Sequence, residues 1–156
     1  MSRSYPARPI VGVGVAVVGA RGVLMIRRGK PPRQGQWSLP GGAQKVGETV
    51  AEAAHREIRE ETGVDIALLG LVDVVDSIRP DDAGAVEFHY TLIDFAAVTG
   101  DAEPRAGGDA ADARWIALEE LPALHLWSET LRIINLAHEM WQAMGEPGPS
   151  DLASGD

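Results

Sequence analysis

At 156 residues, the chain is long enough for one domain with a substantial core, and its 45% hydrophobic and 24% charged content is that of an ordinary globular protein. A formal charge of −9 argues against the basic footprint on which sequence-independent nucleic-acid binding depends, so no nucleic acid polymer is expected as a partner. The absence of cysteine removes disulfides, thiolate catalysis and cysteine-based zinc sites.

The first residues lack the apolar run of a signal peptide, and the stretch from Ile10 to Val18 is too short and glycine-interrupted to cross a membrane. No membrane partner is expected, and residence is read as cytoplasmic. Pro9 to Val18 reads as a buried strand rich in β-branched residues. Its glycines alternate with valine, and no Gly-x-Gly-x-x-Gly leads into a helix, so it is not a dinucleotide loop. A strand of such small residues lets a base or backbone approach closely, and is otherwise a packing feature. Gly22 to Arg28 predicts a second strand joined to the first by a hairpin, and residues 29–36 form a basic, proline-rich loop. A helix is predicted from Val50 to Thr62. Two long strands follow, Ile66 to Ile78 and Val86 to Val98, on either side of an acidic loop. Residues 100–112 read as a mobile Ala/Gly/Asp-rich excursion. Arg114 to Leu118 predicts a last strand, and Glu119 to Leu124 a turn or short helix. Ser128 to Met144 predicts an amphipathic helix capped by Ser128, with Leu131, Ile134, Ala137, His138 and Trp141 along one stripe. Residues 1–144 therefore form a single domain, and 145–156 a Gly/Pro/Ser/Asp-rich tail expected to be disordered.

The most informative segment is Gly42-x5-Glu48-x7-Arg56-Glu57-Ile58-x-Glu60-Glu61-x-Gly63-Val64. At about 100° per helical residue, Glu57, Glu60 and Glu61 fall within an arc of roughly 100°. Ala51, Ala54 and Ile58 define a neighbouring packing face, while Glu52, His55 and Arg59 point to solvent. Thr49 and Glu52 spell a capping box, and Gly63 a left-handed exit. Glu48 lies just before the cap, where the preceding loop can aim it at the carboxylate edge. Arg56 is placed to pair with Glu60 and to hold neighbouring carboxylates in one rotamer. So much negative charge on one small surface points to a hard divalent cation such as Mg²⁺ or Mn²⁺, which takes carboxylate oxygens and bridges to a substrate phosphate.

This string resembles the Nudix box at every defined position, and the flanking segments Trp37 to Gly42 and Ala113 to Pro122 resemble the same Nudix hydrolase family. The resemblance covers roughly residues 9–143. It implies an α/β/α sandwich around a mixed β-sheet and Mg²⁺-dependent hydrolysis of a nucleoside diphosphate linked to another moiety, with Mn²⁺ as a substitute. By position it implies that Glu57, Glu60 and Glu61 are metal ligands and catalytic residues, with Glu48 assisting, Gly41 beside them in the metal site and Arg56 orienting the carboxylates. A proline 16 residues beyond Val64, Pro80, resembles the ADP-ribose pyrophosphatase branch, which implies cleavage to AMP and ribose 5-phosphate. The branch often forms a homodimer, although no dimerisation arm stands out here. A MutT-like pyrophosphohydrolase acting on non-canonical nucleoside triphosphates fits the length equally well. A non-catalytic nucleotide-binding module fits less well, because all four box carboxylates are present.

For an anionic substrate the nearby cations are Arg27, Arg28 and Lys45. Arg27 and Arg28 alternate at a strand end, so one is expected to face the cleft and the other solvent. Pro80 joins them as a substrate-side residue through the resemblance. The general base is open. Glu57 serves as ligand or base, and Asp112, Glu87 and Asp82 are further candidates from outside the box, with Asp81 and Asp109 behind them. Trp37, Phe88 and Trp115 are candidates for stacking on a base. His55, His89, His125 and His138 show no ligand spacing and are read as structural or surface residues.

Overall fold

Around β1 (Ile10–Gly19), the rest of the sheet assembles by three different pairings. The computed structural model describes residues 3–31 and 33–152. After β1 come β2 (Gly22–Arg28), β3 (Trp37–Ser38), β4 (Gly41–Ala43), α1 (Val50–Thr62), β5 (Ile66–Pro80), β6 (Val86–Thr99), β7 (Ala110–Ile116) and α2 (Ser128–Ala143). Short 3₁₀ turns occupy Leu118–Leu124 and Pro149–Asp151. β1 runs parallel to β6 from Ile10 to Val17, and antiparallel to β4 at Gly12–Gly14 and to β2 at Val18–Gly19. β5 and β6 form a long antiparallel hairpin at one edge, and β2 carries β3 and β7. The sheet is therefore mixed, as the parallel β1–β6 pair requires a crossover through intervening structure rather than a tight turn.

Both faces of β1 are covered, which is why its sequence is apolar throughout instead of alternating. Val13, Val15 and Val17 point with Phe95 and Ala97 toward α1 and pack on Ala53, Ala54 and Ile58. Ala16 and Val18 point the other way, with Ala96 and Val98, onto Ile133, Ile134, Ala137 and Trp141 of α2. The result is the α/β/α sandwich. By the same period of two, Gly12 and Gly14 belong to the α2 side, in register with Leu92 and Asp94 of β6.

α1 begins and ends where its sequence says. The Thr49 hydroxyl accepts from the Glu52 amide at 3.0 Å, the Glu52 carboxylate accepts from the Thr49 amide at 3.0 Å, and Gly63 takes φ 73° to turn the chain out. Its buried face differs by one position from the expected one: Ala53, not Ala51, is fully buried beside Ala54 and Ile58. The segment after β6 also departs from expectation. Residues 100–112 are tied to the end of α1, because the amides of Arg105 and Gly107 donate to the carbonyls of Thr62 and Glu61, at 2.8 and 3.1 Å. These bonds satisfy carbonyls that a helix end leaves open. A register shift at Arg27/Arg28 lets β7 start at Ala110 instead of Arg114. Ser128 is the first residue of α2 and not its cap; that position falls to Trp127, which makes no side-chain cap. Beyond α2 the expected disorder does not extend to residues 145–152: Trp141 Nε1 donates to the Pro147 carbonyl at 3.0 Å and Leu152 packs on the core. Residues 153–156, also expected to be disordered, lie outside the described residues.

Ile58 is fully buried between α1 and the sheet. Ile58→Ala is expected to destabilise the protein by about 2–5 kcal/mol in urea unfolding, whereas Ala51→Ser should stay within about 0.5 kcal/mol. Equal effects would show that the packing face of α1 has been misassigned.

Candidate active site

Arg56 is the hub of the site. Its Nε and Nη2 bind the two oxygens of Glu48 at 2.8 and 2.6 Å, a bidentate pairing that locks the loop before α1 onto the helix. Nη1 donates to Glu57 Oε1 at 2.8 Å and to Glu60 Oε2 at 3.2 Å, and Nη2 also reaches the Ala43 carbonyl at 3.1 Å. Glu48 accepts in addition from the Lys45 amide at 2.8 Å. Chiefly through the Arg56 bonds and then the Lys45 amide, the Glu48 carboxyl is held down at about 2. The expected pairing of Arg56 with Glu60 is present, at 3.2 Å, and Glu48 is a closer partner.

Glu61 lies in a different environment. It is 5% exposed, and one oxygen accepts from the Gly41 amide at 2.8 Å. Burial above all raises its pKa to about 8. The Gly41 hydrogen bond opposes that shift, and Glu57, which faces it within hydrogen-bonding reach, adds to it. Two glycines make this contact sterically possible. A Cβ on Gly42 would sit 2.5 Å from Glu57 Oε1, and one on Gly41 would sit 2.0 Å from the Val13 carbonyl. Glu57 is thus pressed against backbone on one side and aimed at Glu61 on the other.

Facing carboxylates cannot both ionise in a buried setting without a cation between them. Among the described residues no three carboxylate or imidazole groups converge as a ready-made cage, because Arg56 draws Glu48 and Glu60 to itself. The Glu57–Glu61 pair nevertheless has the donor chemistry that Mg²⁺ or Mn²⁺ takes: hard oxygens from two side chains, with the remaining positions left to water and phosphate.

The pair opens on a cleft of about 1100 Å³. Arg28 and Lys45 line it, while Arg27 does not; the latter lies along the strand with its guanidinium 6.0 Å from the Trp37 ring centroid. Of the further cations that line the cleft, Arg3, Lys30, Arg33 and Arg79, the last two stand out. Partial burial lowers the pKa of both. The charge of Arg28 lowers both further, and Arg33 also bears on Arg79. Three guanidinium groups therefore crowd one region of an otherwise acidic protein. Arg33 takes the left-handed conformation at φ 62°, in a turn closed by the Gln36 amide on its carbonyl at 3.1 Å. Such backbone is unfavourable for a residue with a Cβ and concentrates at functional sites. Arg79 was legible in principle. It follows Val75 and Ser77 at a spacing of two, so it shares their inward face.

Pro80, by contrast, ends β5 on the exposed side and does not line the cleft. Nor do Asp112, Glu87 and Asp82, whereas Asp109 lines it and pairs with Lys30 at 2.9 Å. Asp112 pairs across from Arg27 in β7 and is held by Arg114, Asp82 stands exposed in the β5–β6 turn, and the Glu87 carbonyl takes the Tyr5 amide. Asp81 is absorbed by its own turn, accepting from Tyr5 Oη at 2.9 Å and from the amides of Ala83 and Ala85. Of the aromatic candidates, Trp37 and Phe88 line the cleft and Trp115 does not; Tyr90 and Trp127 do as well.

The NUDIX domain family model matches residues 8–136. The chain belongs to the NUDIX family. An ADP-ribose pyrophosphatase of Methanocaldococcus jannaschii is 38% identical over 116 residues, covering 74% of this chain and 66% of that protein. The chain spans only half the length of a putative mutator protein MutT4 of Mycobacterium tuberculosis, to which it is 28% identical. Among solved structures, a MutT NUDIX hydrolase from Burkholderia pseudomallei superimposes with a TM-score of 0.69 at 32% identity, covering 83% of this chain and 98% of that one. The NUDIX domain of Shewanella oneidensis NrtR, complexed with ADP ribose, gives a TM-score of 0.69 over 86% of this chain and 89% of that one. At 20% identity it shows the shared fold alone.

A pH dependence of stability follows from the NUDIX site and the cleft. Burial raises Glu61 from the ordinary 4.5 to about 8, and Asp94, on the cleft floor, from 3.8 to about 6. A raised carboxyl holds its proton more tightly when folded, so its contribution is complete below the ordinary value and is lost as pH rises through the folded one. The melting temperature of protein stripped with EDTA is expected to fall between pH 5 and 8, and millimolar Mg²⁺ is expected to restore most of the loss at pH 8. A melting temperature that rises over that interval without metal would contradict the assignment.

Proposed function

We propose that this NUDIX protein is a metal-dependent hydrolase of a nucleoside diphosphate linked to another moiety, and that it cleaves ADP-ribose to AMP and ribose 5-phosphate. The observation that carries the reading is the facing pair Glu57–Glu61 in the wall of a cleft that also gathers Arg28, Arg33 and Arg79. Carboxylates for a cation and guanidinium groups for phosphate oxygens are the two halves of a diphosphate site, and neither is of use to a neutral ligand. The archaeal relative named as an ADP-ribose pyrophosphatase supports the choice of substrate.

The chain's own residues have separable roles. Glu57 and Glu61 would hold Mg²⁺ or Mn²⁺, which supplies Lewis acidity and positive charge at the diphosphate. Arg56 fixes the Glu57 rotamer through Nη1 and ties the Glu48 loop to the helix, so the carboxylates need not reorganise when charge develops. Gly41 orients Glu61 through its amide. Arg28, Arg33 and Arg79 bind and orient phosphate oxygens, and Lys45 lines the same cleft. No covalent nucleophile is needed, since positioning and electrostatics dominate phosphoryl transfer to water. A second reading, MutT-like hydrolysis of a nucleoside triphosphate, is favoured by the likeness to the Burkholderia pseudomallei MutT structure.

Chromatography of products separates the two. With ADP-ribose and Mg²⁺ the expected products are AMP and ribose 5-phosphate; a nucleoside monophosphate plus pyrophosphate from triphosphates, with ADP-ribose untouched, would replace this reading by the second. Arg79→Ala should raise KM about tenfold or more with kcat little changed, the loss of one charge-assisted hydrogen bond to phosphate.

A further inference from the structure

Residues 3–9 do more than lead into β1. Tyr5 takes the left-handed conformation at φ 50°, directly before Pro6. That backbone is unfavourable for a residue with a Cβ, and a following proline narrows the choice further. Two hydrogen bonds hold it there. The Tyr5 amide donates to the Glu87 carbonyl at 2.7 Å, and the Tyr5 hydroxyl to Asp81 Oδ2 at 2.9 Å. The mount is rigid, because the other Asp81 oxygen accepts from the amides of Ala83 and Ala85, both at 2.9 Å, and closes the β5–β6 turn. Pro6 and Pro9 fix φ along the link from Tyr5 to β1, which leaves this strap little freedom to swing.

The arrangement adds little to folding. Tyr5 is 57% exposed, so its ring buries little apolar surface, and hydrogen bonds made in solvent are worth little net. A strained strap that does not fill the core is explained by what it places. It places Arg3 and Ser4 on the cleft. Arg3 and Arg79 each lie two residues from the Tyr5–Asp81 contact, at most about 7 Å of chain, and both line the cleft. The strap therefore adds a guanidinium at the end of the cleft where Arg79 stands. Lys30 in the same cleft is held by Asp109 at 2.9 Å, whereas among the described residues no carboxylate pairs with Arg3. A cation brought up to a cluster of like charges gains nothing there until an anion joins them.

We propose that Arg3 is a phosphate-binding residue of this protein, and that Tyr5, clipped to the β5–β6 turn, is the residue that positions it. The proposal rests on the reading of the cleft as a nucleoside diphosphate site, but not on which phosphate bond is cleaved.

The test is calorimetric binding of adenosine 5′-(α,β-methylene)diphosphate, which resists hydrolysis, with Mg²⁺ at low and at high salt. The proteins are the wild type, Arg3→Ala, Arg3→Lys, Tyr5→Phe and the double variant Arg3→Ala/Tyr5→Phe, each checked by thermal melting. At low salt Arg3→Ala is expected to bind on the order of tenfold more weakly than wild type, with a smaller loss at high salt, and Arg3→Lys to recover part of the affinity. Tyr5→Phe loses only a hydroxyl that the ligand does not touch. It should weaken binding about threefold when Arg3 is present and no further when Arg3 is already alanine, because the two act as one unit. All variants should melt close to the wild type. Unchanged affinity in a folded Arg3→Ala protein would overturn the proposal. So would a Tyr5→Phe loss of the same size in both backgrounds, or a wild type that does not bind the probe. The expected pattern in a protein that leaves ADP-ribose intact would support Arg3 while refuting the ADP-ribose reading. Hydrolysis of ADP-ribose by Arg3→Ala at the wild-type KM would keep that reading and overturn the role of Arg3.

Discussion

Two carboxylates that face each other at the wall of a cleft, Glu57 and Glu61, set the terms for the rest of this structure. In a buried setting the second negative charge is disfavoured by desolvation and by the first, which is why Glu61 holds its proton to about pH 8. A divalent cation held between them would supply charge enough for both to ionise. The surrounding sequence serves this contact. Gly42 leaves no Cβ in the way of Glu57, the Gly41 amide points Glu61 inward, and Arg56 takes up the neighbouring charges that would otherwise add to the repulsion.

Arg56 explains why four glutamates near one helix do not form a four-armed cage. Its planar fork binds Glu48 in two places and divides a third contact between Glu57 and Glu60. The arginine converts a set of like charges into a rigid frame, with Glu48 well below the usual carboxylate range. What remains aimed at the cleft is the pair. Arg28, Arg33 and Arg79, lining the same cleft, bring positive charge to an anion that a chain of net charge −9 would otherwise repel.

The helix was legible in the sequence because its signals are local. The capping box, the left-handed glycine and the carboxylate arc lie within 15 residues, from Thr49 to Gly63, and each follows from bonds a few positions apart. The two faces of β1 were legible as a fully apolar run, and the hairpins through their turn residues. What escaped was decided by pairings distant along the chain. β7 begins early because Arg28 shifts register against it, and residues 100–112 are anchored because the far end of α1 offers them carbonyls. The same reason separates the candidates that line the cleft from those that do not: sheet register turns Asp112 toward Arg114 and leaves Pro80 outside while its neighbour Arg79 faces in.

The contact between Glu57 and Glu61 is tested most directly by Mn²⁺ titration followed by electron paramagnetic resonance, on wild type and on Glu61→Gln at pH 8. Replacing the buried charge with an isosteric amide keeps the shape and the Gly41 hydrogen bond but removes half of the donor pair. The wild type is predicted to bind Mn²⁺ tightly, and Glu61→Gln to bind it at least about tenfold more weakly while melting at or above the wild-type temperature without metal. Equal Mn²⁺ affinity in the two proteins would mean that the ion is held elsewhere, and that the facing pair is not the metal site.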